Sequence, residues 1–240
     1  MALEDILDRA PVESVEDAIA VMKAIDRELP DTDGVKWFNR LYLRVTEEVD
    51  GALGGTGFAD PAFIATLDVT FANLYFEALV SGLAGAEAAP SAWRPLLRAR
   101  HSEGIARIQF ALAGMNAHIN RDLPDGIVRS FAAMGGTPLT DRIREHDFTS
   151  VNDLLADVEA KVKVEFAVGP LGVLDRLGGP LDDAVAMWNV RAARSTAWTN
   201  AQVLTGLGPL PFLRDRFFER LDSLVGMSGR GLLVRLDRIR

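Results

Sequence analysis

The chain has 240 residues, of which 48% are hydrophobic and 25% charged, with 21 Gly, 11 Pro and no Cys. This composition is typical of a globular protein, and the lack of cysteine excludes disulfides, thiolate zinc sites and a cysteine nucleophile. A net charge of −8 argues against a nucleic-acid-binding surface. No uninterrupted apolar run reaches the ~20 residues that span a bilayer, and the acidic N-terminus is unlike a secretory signal. We therefore expect a cytoplasmic protein without nucleic-acid or membrane partners.

Helical periodicity dominates the first half of the chain, where apolar residues recur at spacings of three and four. Ser14 begins a segment that resembles a capping box, and Asp60 followed by Pro61 is typical of a helix start. The predicted helices here are one from Ser14 to Pro30, one carrying Trp37 to Val49 and ending in the Gly-rich segment 51–57, one from Asp60 to about Leu83, and one from near Ser91 to Asp122 with a break at Gly104.

The second half continues this pattern, and strand signals are poor throughout. The predicted elements are a short helix from Leu123, a connection over 135–147, a helix capped by Thr149 or Ser150, a Gly/Pro-rich run over 169–180, a helix over 181–205 stopped at 206–209, and helices over 212–224 and 232–239. We predict an all-α, single-domain bundle of about eight or nine helices. It divides into an N-terminal arm (1–34), a core (35–205) and C-terminal helices (206–240).

The most informative segment for chemistry surrounds His118, which lies among small and apolar residues. On a helix, His118 and Asp122 are one turn apart and meet side by side. A carboxylate in that position orients the imidazole and raises its basicity, as general base catalysis requires. The same spacing suits two ligands of one metal ion, or a buried hydrogen bond that fixes helix packing.

The string from Gly114 to Pro124, G-M-N-A-H-I-N-R-D-L-P, resembles the central motif of an uncharacterised actinobacterial family known only as a domain of unknown function. Segments near residues 58–73, 146–155 and 194–198 are similar to that family as well, so the resemblance covers roughly residues 35–205. It implies a helical cytoplasmic protein and no established activity. The residues it singles out are Asp68, Asn73, His118, Asn120, Asp122, Asn152, Arg194 and Trp198.

Polar and aromatic residues also share a stripe on the helix after Pro180. Arg191, Arg194 and Trp198 follow at helical spacing, and an arginine one turn from an aromatic ring suits an anionic or conjugated ligand. The structural alternative is an ion pair of Arg194 with Asp68 or Asp122, with Trp198 in the core.

Three functions are compatible with these residues. The first is a cofactor-independent enzyme that acts on a small, largely apolar metabolite of bacterial specialised metabolism, as a cyclase, isomerase, lyase or hydrolase. His118 would be its acid/base, Asp122 would orient His118, and Arg194 would stabilise developing negative charge. The expected substrate-binding residues are Asp68, Phe71, Asn73, Tyr75, Met115, Asn120, Asn152, Arg191 and Trp198.

The second function is a metal-dependent hydrolase or oxygenase, with a single divalent metal on His118, Asp122 and a third carboxylate. The candidates for that ligand are Glu47, Glu77 and Asp68. The third is a non-catalytic small-molecule-binding or structural protein. A homo-oligomer is also possible, because the acidic N-terminal region carries more aromatic residues than a short arm needs, namely Trp37, Tyr42 and Phe58.

Overall fold

The computed structural model of the chain describes residues 2–55, 57–167 and 189–235, and among these residues there are helices but no β-strand. In chain order the helices are α1 (Leu3–Leu7), α2 (Val15–Glu28), α3 (Gly34–Leu53), α4 (Pro61–Leu83), a 3-10 turn (Ala86–Ala88), α5 (Arg94–Ala99), α6 (Arg107–Ala117), a π-helical turn (His118–Asp122), α7 (Leu123–Met134), α8 (Arg142–Ala167), α9 (Val190–Gly206) and α10 (Pro211–Leu232). Helix α6, the π-helical turn and α7 are continuous. Counted as one, they bring the described residues to nine helical segments, not including the 3-10 turn. The predicted all-α, single-domain bundle is confirmed.

Two helix starts follow directly from local side-chain chemistry. The Ser14 hydroxyl accepts a hydrogen bond from the backbone N–H of Asp17 at 3.0 Å, as expected for the residue before α2. The Asp60 carboxylate accepts from the backbone N–H of Phe63 at 3.0 Å, and Pro61 occupies the first position of α4. Both starts were predicted at these residues, because a cap needs only a partner three residues away.

The start of α8 differs from the prediction. The segment 135–147 was expected to be a connection, but α8 begins at Arg142. Its first turn is held by Asp141, whose carboxylate accepts from the backbone N–H three residues later at 3.1 Å. Thr149 and Ser150 lie inside the helix and donate their hydroxyls to carbonyls one turn earlier, so neither is a cap.

The first of the two predicted C-terminal helices is longer than expected, and the second, predicted over 232–239, lies outside the described residues from position 236 onwards. Helix α10 runs from Pro211 to Leu232 and passes through Gly226, where a Cβ would lie 2.4 Å from the backbone oxygen of Ser91. Because glycine has no Cβ, α10 can cross the segment just before α5 at close range. Gly226 therefore serves this packing contact within the helix and does not end it. The predicted helix over 181–205 corresponds to α9 from Val190 onwards. Residues 168–188, with the Gly/Pro-rich run, and 236–240 lie outside the described residues.

One hydrophobic cluster unites the N-terminal helices with the rest of the chain. Met22 and Ile25 of α2 are fully buried in the same cluster as Phe38 of α3. Trp37 and Tyr42 are also buried there, at 5% and 2% exposure. Two of the three aromatic residues that suggested an oligomer surface are therefore used within the chain itself.

Helix α4 is apolar on most of its circumference. By length and composition alone it is long and apolar enough to cross a membrane, the one such helix among the described residues, although it carries Asp68 and Glu77. In the bundle, 61% of its most apolar window is buried. Core helices pass this test for the same reason, so the finding is weak evidence for a membrane span.

Candidate functional site

The site is built on an irregular turn in the continuous helical stretch that runs from α6 to α7. After α6 the backbone widens into a π-helical turn, in which the N–H of Leu123 donates to the carbonyl of His118. Pro124 follows this turn and has no N–H to donate to a carbonyl one turn earlier. The wider turn therefore lies where the regular helical hydrogen-bond pattern is already interrupted by the proline. Single π-helical turns of this kind occur frequently at functional sites.

His118 and Asp122 are paired as predicted, and both are fully buried. Nδ1 of His118 lies 3.0 Å from Oδ2 of Asp122. The same oxygen accepts the indole N–H of Trp93 at 2.9 Å, and Oδ1 accepts from Nη1 of Arg121 at 2.7 Å. Both oxygens of Asp122 act as acceptors in this network, so the contact assigns the hydrogen to Nδ1 of His118 and leaves the lone pair on Nε2.

Nε2 of His118 is buried and has no hydrogen-bond partner among the described residues. The imidazole is stacked on Phe71, with ring centroids 3.4 Å apart and an interplanar angle of 4°, and Tyr42 meets it edge-on at 4.5 Å. Burial lowers the pKa of His118, and the hydrogen bond that Nδ1 donates to Asp122, which raises it, does not fully offset this. The imidazole is therefore neutral at pH 7, with an available lone pair in an aromatic surrounding.

Asp68, one turn before Phe71 on α4, is the second buried acid of the site. It is 8% exposed, and its Oδ2 has no hydrogen-bond partner in the described structure. Burial, reinforced by the charge of Asp50, raises its pKa to about 7, while Arg194 acts in the opposite direction. Asp68 thus holds a proton near neutral pH, which ordinary aspartates do not.

Two hydroxyls of α3, one helical turn apart, lie close to these groups. Burial and the charge of Asp68 raise the pKa of Tyr42 well above its usual range, so this phenol stays protonated. Thr46 lowers the pKa of Tyr42. Neither hydroxyl, however, has a hydrogen bond of good geometry among the described residues. Both therefore retain donor capacity inside the bundle.

Arg194 is buried and bonded to neutral groups. Its Nε donates to Oδ1 of Asn152 at 2.9 Å and its Nη2 to the carbonyl of Phe148 at 2.8 Å. Within the described part of the chain, no carboxylate lies within 4 Å of its guanidinium, so the predicted alternative of an ion pair with Asp68 or Asp122 is absent there. Burial lowers the pKa of Arg194 to about 10, partly opposed by Asp68.

Trp198 lies beside Arg194, with its ring 4.9 Å from that of Phe148. It is 4% exposed, as the core alternative required, but its indole N–H has no partner among the described residues. Trp198 therefore contributes both packing and an unused donor.

Other predicted substrate-binding residues hold the fold together in this structure. Asn73 forms two hydrogen bonds with the backbone of Val12, donating to its carbonyl at 2.9 Å and accepting from its N–H at 2.8 Å. The Tyr75 hydroxyl donates to Asn39 at 3.3 Å, deep in the core. These contacts anchor the segment before α2 and join α4 to α3.

The remaining three predicted residues lie at different depths. Met115 is buried in the core cluster, and Asn120 donates to Asn116 at 3.1 Å on the same helical stretch. Arg191 is exposed and pairs with Asp153 at 2.8 Å, which places it away from the buried groups.

Sequence reasoning missed four residues of the site, namely Tyr42, Thr46, Trp93 and Arg121. Tyr42 and Thr46 are separated by four residues on a strongly buried face of α3, and that spacing is a usable signal. Trp93 is 29 residues from Asp122, and nothing local marks it as a partner.

The donors for a metal ion are not assembled in the described residues. No group of three or more His, Asp and Glu side chains is positioned there to hold one ion. Of the proposed third ligands, Glu47 pairs with Lys23 at 2.7 Å and Glu77 faces Arg129 at 3.6 Å. Both oxygens of Asp122 are engaged by His118, Trp93 and Arg121, so among the described residues His118 Nε2 has no second ligand beside it to complete a metal site.

Comparison with known families assigns the chain. The model of a family of unknown function, DUF5995, matches residues 15–235. The chain belongs to DUF5995. The match begins with the first residue of α2 and includes every residue of the site, so the His118–Asp122 pair lies within the DUF5995 region. No curated protein and no solved structure matches the chain.

Proposed function

We propose that this protein is a cofactor-independent enzyme that uses His118 for acid–base chemistry on a small, largely apolar molecule. The observation that carries the proposal is the state of the imidazole: Nδ1 is held by Asp122, while the buried Nε2 has no partner. A base whose other nitrogen is fixed by an oriented carboxylate is the arrangement that general base catalysis requires.

In the proposed reaction, Nε2 of His118 removes a proton from the substrate or, in a hydrolase, from the water molecule that attacks it. The imidazolium that forms is stabilised by Asp122, whose two oxygens remain fixed by Trp93 and Arg121. The proton is then returned to the substrate, at another atom or to a leaving group. This sequence is common to cyclases, isomerases, lyases and hydrolases of the acid–base type.

Asp68 extends the proposal by providing an acid. The surroundings lower the pKa of His118 and raise the pKa of Asp68 to about 7, so one group is a neutral base and the other a neutral acid. Paired groups whose pKa values are pushed towards opposite tasks are typical of acid–base sites. Arg194, buried nearby, supplies positive charge that stabilises an anionic intermediate.

The aromatic rings around His118 determine what kind of substrate we expect. Phe38, Tyr42 and Tyr75 approach the imidazole edge-on at 4.5 to 6.0 Å, and Phe71 covers one face at 3.4 Å. A substrate that reaches Nε2 must displace part of this packing, and Phe71 is the ring it would replace. A molecule with a flat apolar part satisfies that requirement.

The family, the compartment and the class of partner are inferred from the sequence. We infer that Gly114–Pro124 is the central motif of an actinobacterial family, and that the protein acts in the cytoplasm on a small molecule of specialised metabolism. The net charge of −8 favours a partner other than nucleic acid. A homo-oligomer remains compatible with the proposal, and a membrane partner is not part of it.

The test uses a small-molecule extract of bacterial cells in D₂O, incubated with purified protein and analysed by mass spectrometry. The wild type is expected to consume or deuterate at least one compound, and His118→Gln is expected to lose this activity. His101→Gln is the matched control, because the side chain of His101 is 71% exposed. No change with the wild type, or equal change with His118→Gln, would overturn the proposal. A His118→Gln variant that only loses stability would favour the non-catalytic alternative.

A further inference from the structure

Helix α10 is buried along one face only. On that face Gly226 lies against the backbone of Ser91, and the carbonyl of Val225 accepts a hydrogen bond from Asn116 at 2.9 Å. The half of α10 that begins at Pro211 is exposed over most of its surface. Contiguous exposed apolar surface indicates an interaction site. Large apolar side chains on the outer side of α10 are between 49% and 61% exposed, namely Leu210, Leu213, Leu224 and Met227.

These exposed residues recur at the spacing of a coiled coil. Seams of that spacing pair with a second helix along their length. On a helix of about 3.6 residues per turn, the side chains concerned lie on one side, roughly opposite the buried Gly226 and Gly229. Alternating steps of three and four residues connect the six members, which we call the outer seam: Leu210, Leu213, Phe217, Arg220, Leu224 and Met227.

The outer seam matches a second copy of itself in antiparallel orientation. With a two-fold axis between positions 218 and 219, Leu210 would meet the second copy's Met227, and each such contact would occur twice. In the same way Leu213 would meet Leu224, so the apolar side chains cover one another.

The one charged residue of the outer seam decides the orientation. In the antiparallel pair Arg220 would meet Phe217, so its guanidinium would lie against an aromatic ring in a cation–π contact. A parallel pair would instead place the two Arg220 side chains against each other, and like charges repel. The position of Arg220 therefore favours the antiparallel pair.

We propose that the outer seam of α10 is the interface of an antiparallel, two-fold dimer of this chain. The segment from Leu210 to Met227 covers roughly 27 Å of helix. A single pair of helices of this length gives an interface at the small end of the range for specific complexes. We therefore expect a dissociation constant in the micromolar range. Dimer formation is independent of the proposed acid–base chemistry of His118.

A membrane surface matches this face less well than a second copy does. Helices that lie on membranes carry lysine and arginine on their polar face, next to a broad apolar face. The exposed part of α10 mixes Arg214 and Arg216 with Asp215 and Glu219, and the seam itself contains Arg220. These acidic residues would repel anionic lipid.

The first test is sedimentation velocity of the full chain between about 2 and 200 µM, since a weak dimer forms by mass action. The wild type is expected to change from monomer to dimer over this range. Leu224→Glu is expected to stay monomeric, because its dimer would bury unpaired carboxylates. Ile143→Glu on α8 is the matched control. Ile143 is 60% exposed and lies outside the outer seam, so this variant is expected to dimerise like the wild type.

The second test uses the lack of cysteine in the chain, which makes any introduced thiol the single one. Leu213→Cys mixed with Leu224→Cys is expected to form a disulfide-linked dimer on mild oxidation. Leu213→Cys alone is expected to cross-link much less. In the antiparallel pair its two thiols would be separated by roughly 16 Å along the helix, beyond the reach of a disulfide.

Three results would overturn the proposal. The first is a wild type that remains monomeric at every concentration, and the second is a Leu224→Glu variant that dimerises equally well. The third is a monomeric protein whose melting temperature falls in Leu224→Glu, which would mean that the chain's own residues cover the seam. Sedimentation of the wild type with phosphatidylglycerol vesicles, without self-association, would assign the face to a membrane instead. Cross-linking of Leu213→Cys with itself but not with Leu224→Cys would contradict the antiparallel pairing.

Discussion

Trp93 donates its indole N–H to Oδ2 of Asp122 at 2.9 Å, and both side chains are fully buried. The residue just before α5 thus holds the carboxylate that fixes the imidazole of His118. Arg121 binds the other oxygen, so both oxygens of Asp122 are held by side chains that are largely buried. The strength of this arrangement can be measured by changing the carboxylate alone.

We expect Asp122→Asn to lower the free energy of unfolding by about 3 kcal/mol, because it leaves the largely buried Arg121 without its closest counter-charge. It also exchanges an acceptor for an amide that can donate. The acid–base activity is expected to fall by roughly 10⁴-fold, as it does where an orienting carboxylate is lost from a catalytic triad. Urea unfolding and the extract assay measure the two effects.

The matched control for this change is Asp125→Asn, three residues further along the chain. Asp125 pairs with Arg129, whose side chain is 50% exposed, so the expected loss is below about 1 kcal/mol. Equal losses for the two variants would show that Asp122 has no special structural importance.

The raised pKa of Asp68 predicts a dependence of stability on pH. The folded state keeps this proton up to about pH 7, whereas the unfolded state releases it near 3.8. Raising the pH between these values therefore favours the unfolded state, by at most about 1.4 kcal/mol for each pH unit. The contribution of Asp68 is fully present below pH 3.8 and is lost as the pH rises through 7.

Asp68→Asn isolates this effect, since asparagine does not titrate. We expect the stability of the wild type relative to Asp68→Asn to decrease steadily as the pH rises from 4.5 to 7. Urea midpoints at several pH values measure the difference, and Asp215→Asn on the exposed face of α10 controls for a general loss of negative charge. A difference that is constant with pH would mean that Asp68 is ionised in the folded protein throughout.

Gly114 allows α3 and α6 to pack closely. A Cβ at this position would lie 2.3 Å from Cγ of Phe38, which is fully buried and also contacts the imidazole of His118. We expect Gly114→Ala to destabilise the protein by about 1–3 kcal/mol, because the ring has no free space to enter. Thermal unfolding measures the loss.

Gly51→Ala is the control for the helix propensity of the two residues. Gly51 is also helical but exposed, and a Cβ there meets nothing within 4 Å. Alanine is therefore expected to stabilise the protein at position 51 by up to about 1 kcal/mol. A stabilising Gly114→Ala would show that α3 and α6 separate more easily than this packing implies.

Several features were predictable because their causes are local. The capping residues Ser14 and Asp60 bond to groups three residues away, and His118 meets Asp122 across one helical turn. The start of α8 was placed too late because Gly and Pro near residue 135 suggested a longer connection. Its start depends on the cap from Asp141. The first turn is charged and shows no apolar periodicity that would predict it.

The sequence by itself determined the all-α class, the starts of α2 and α4 and the pairing of His118 with Asp122, because periodicity, caps and i,i+4 contacts act within a few residues. Only the tertiary structure decided which polar groups are buried and which partners they have. It brought Trp93 to Asp122, tied Asn73 to Val12, and buried Asp68 and Arg194. Burial sets the protonation of these groups, and burial is a property of the whole packed chain.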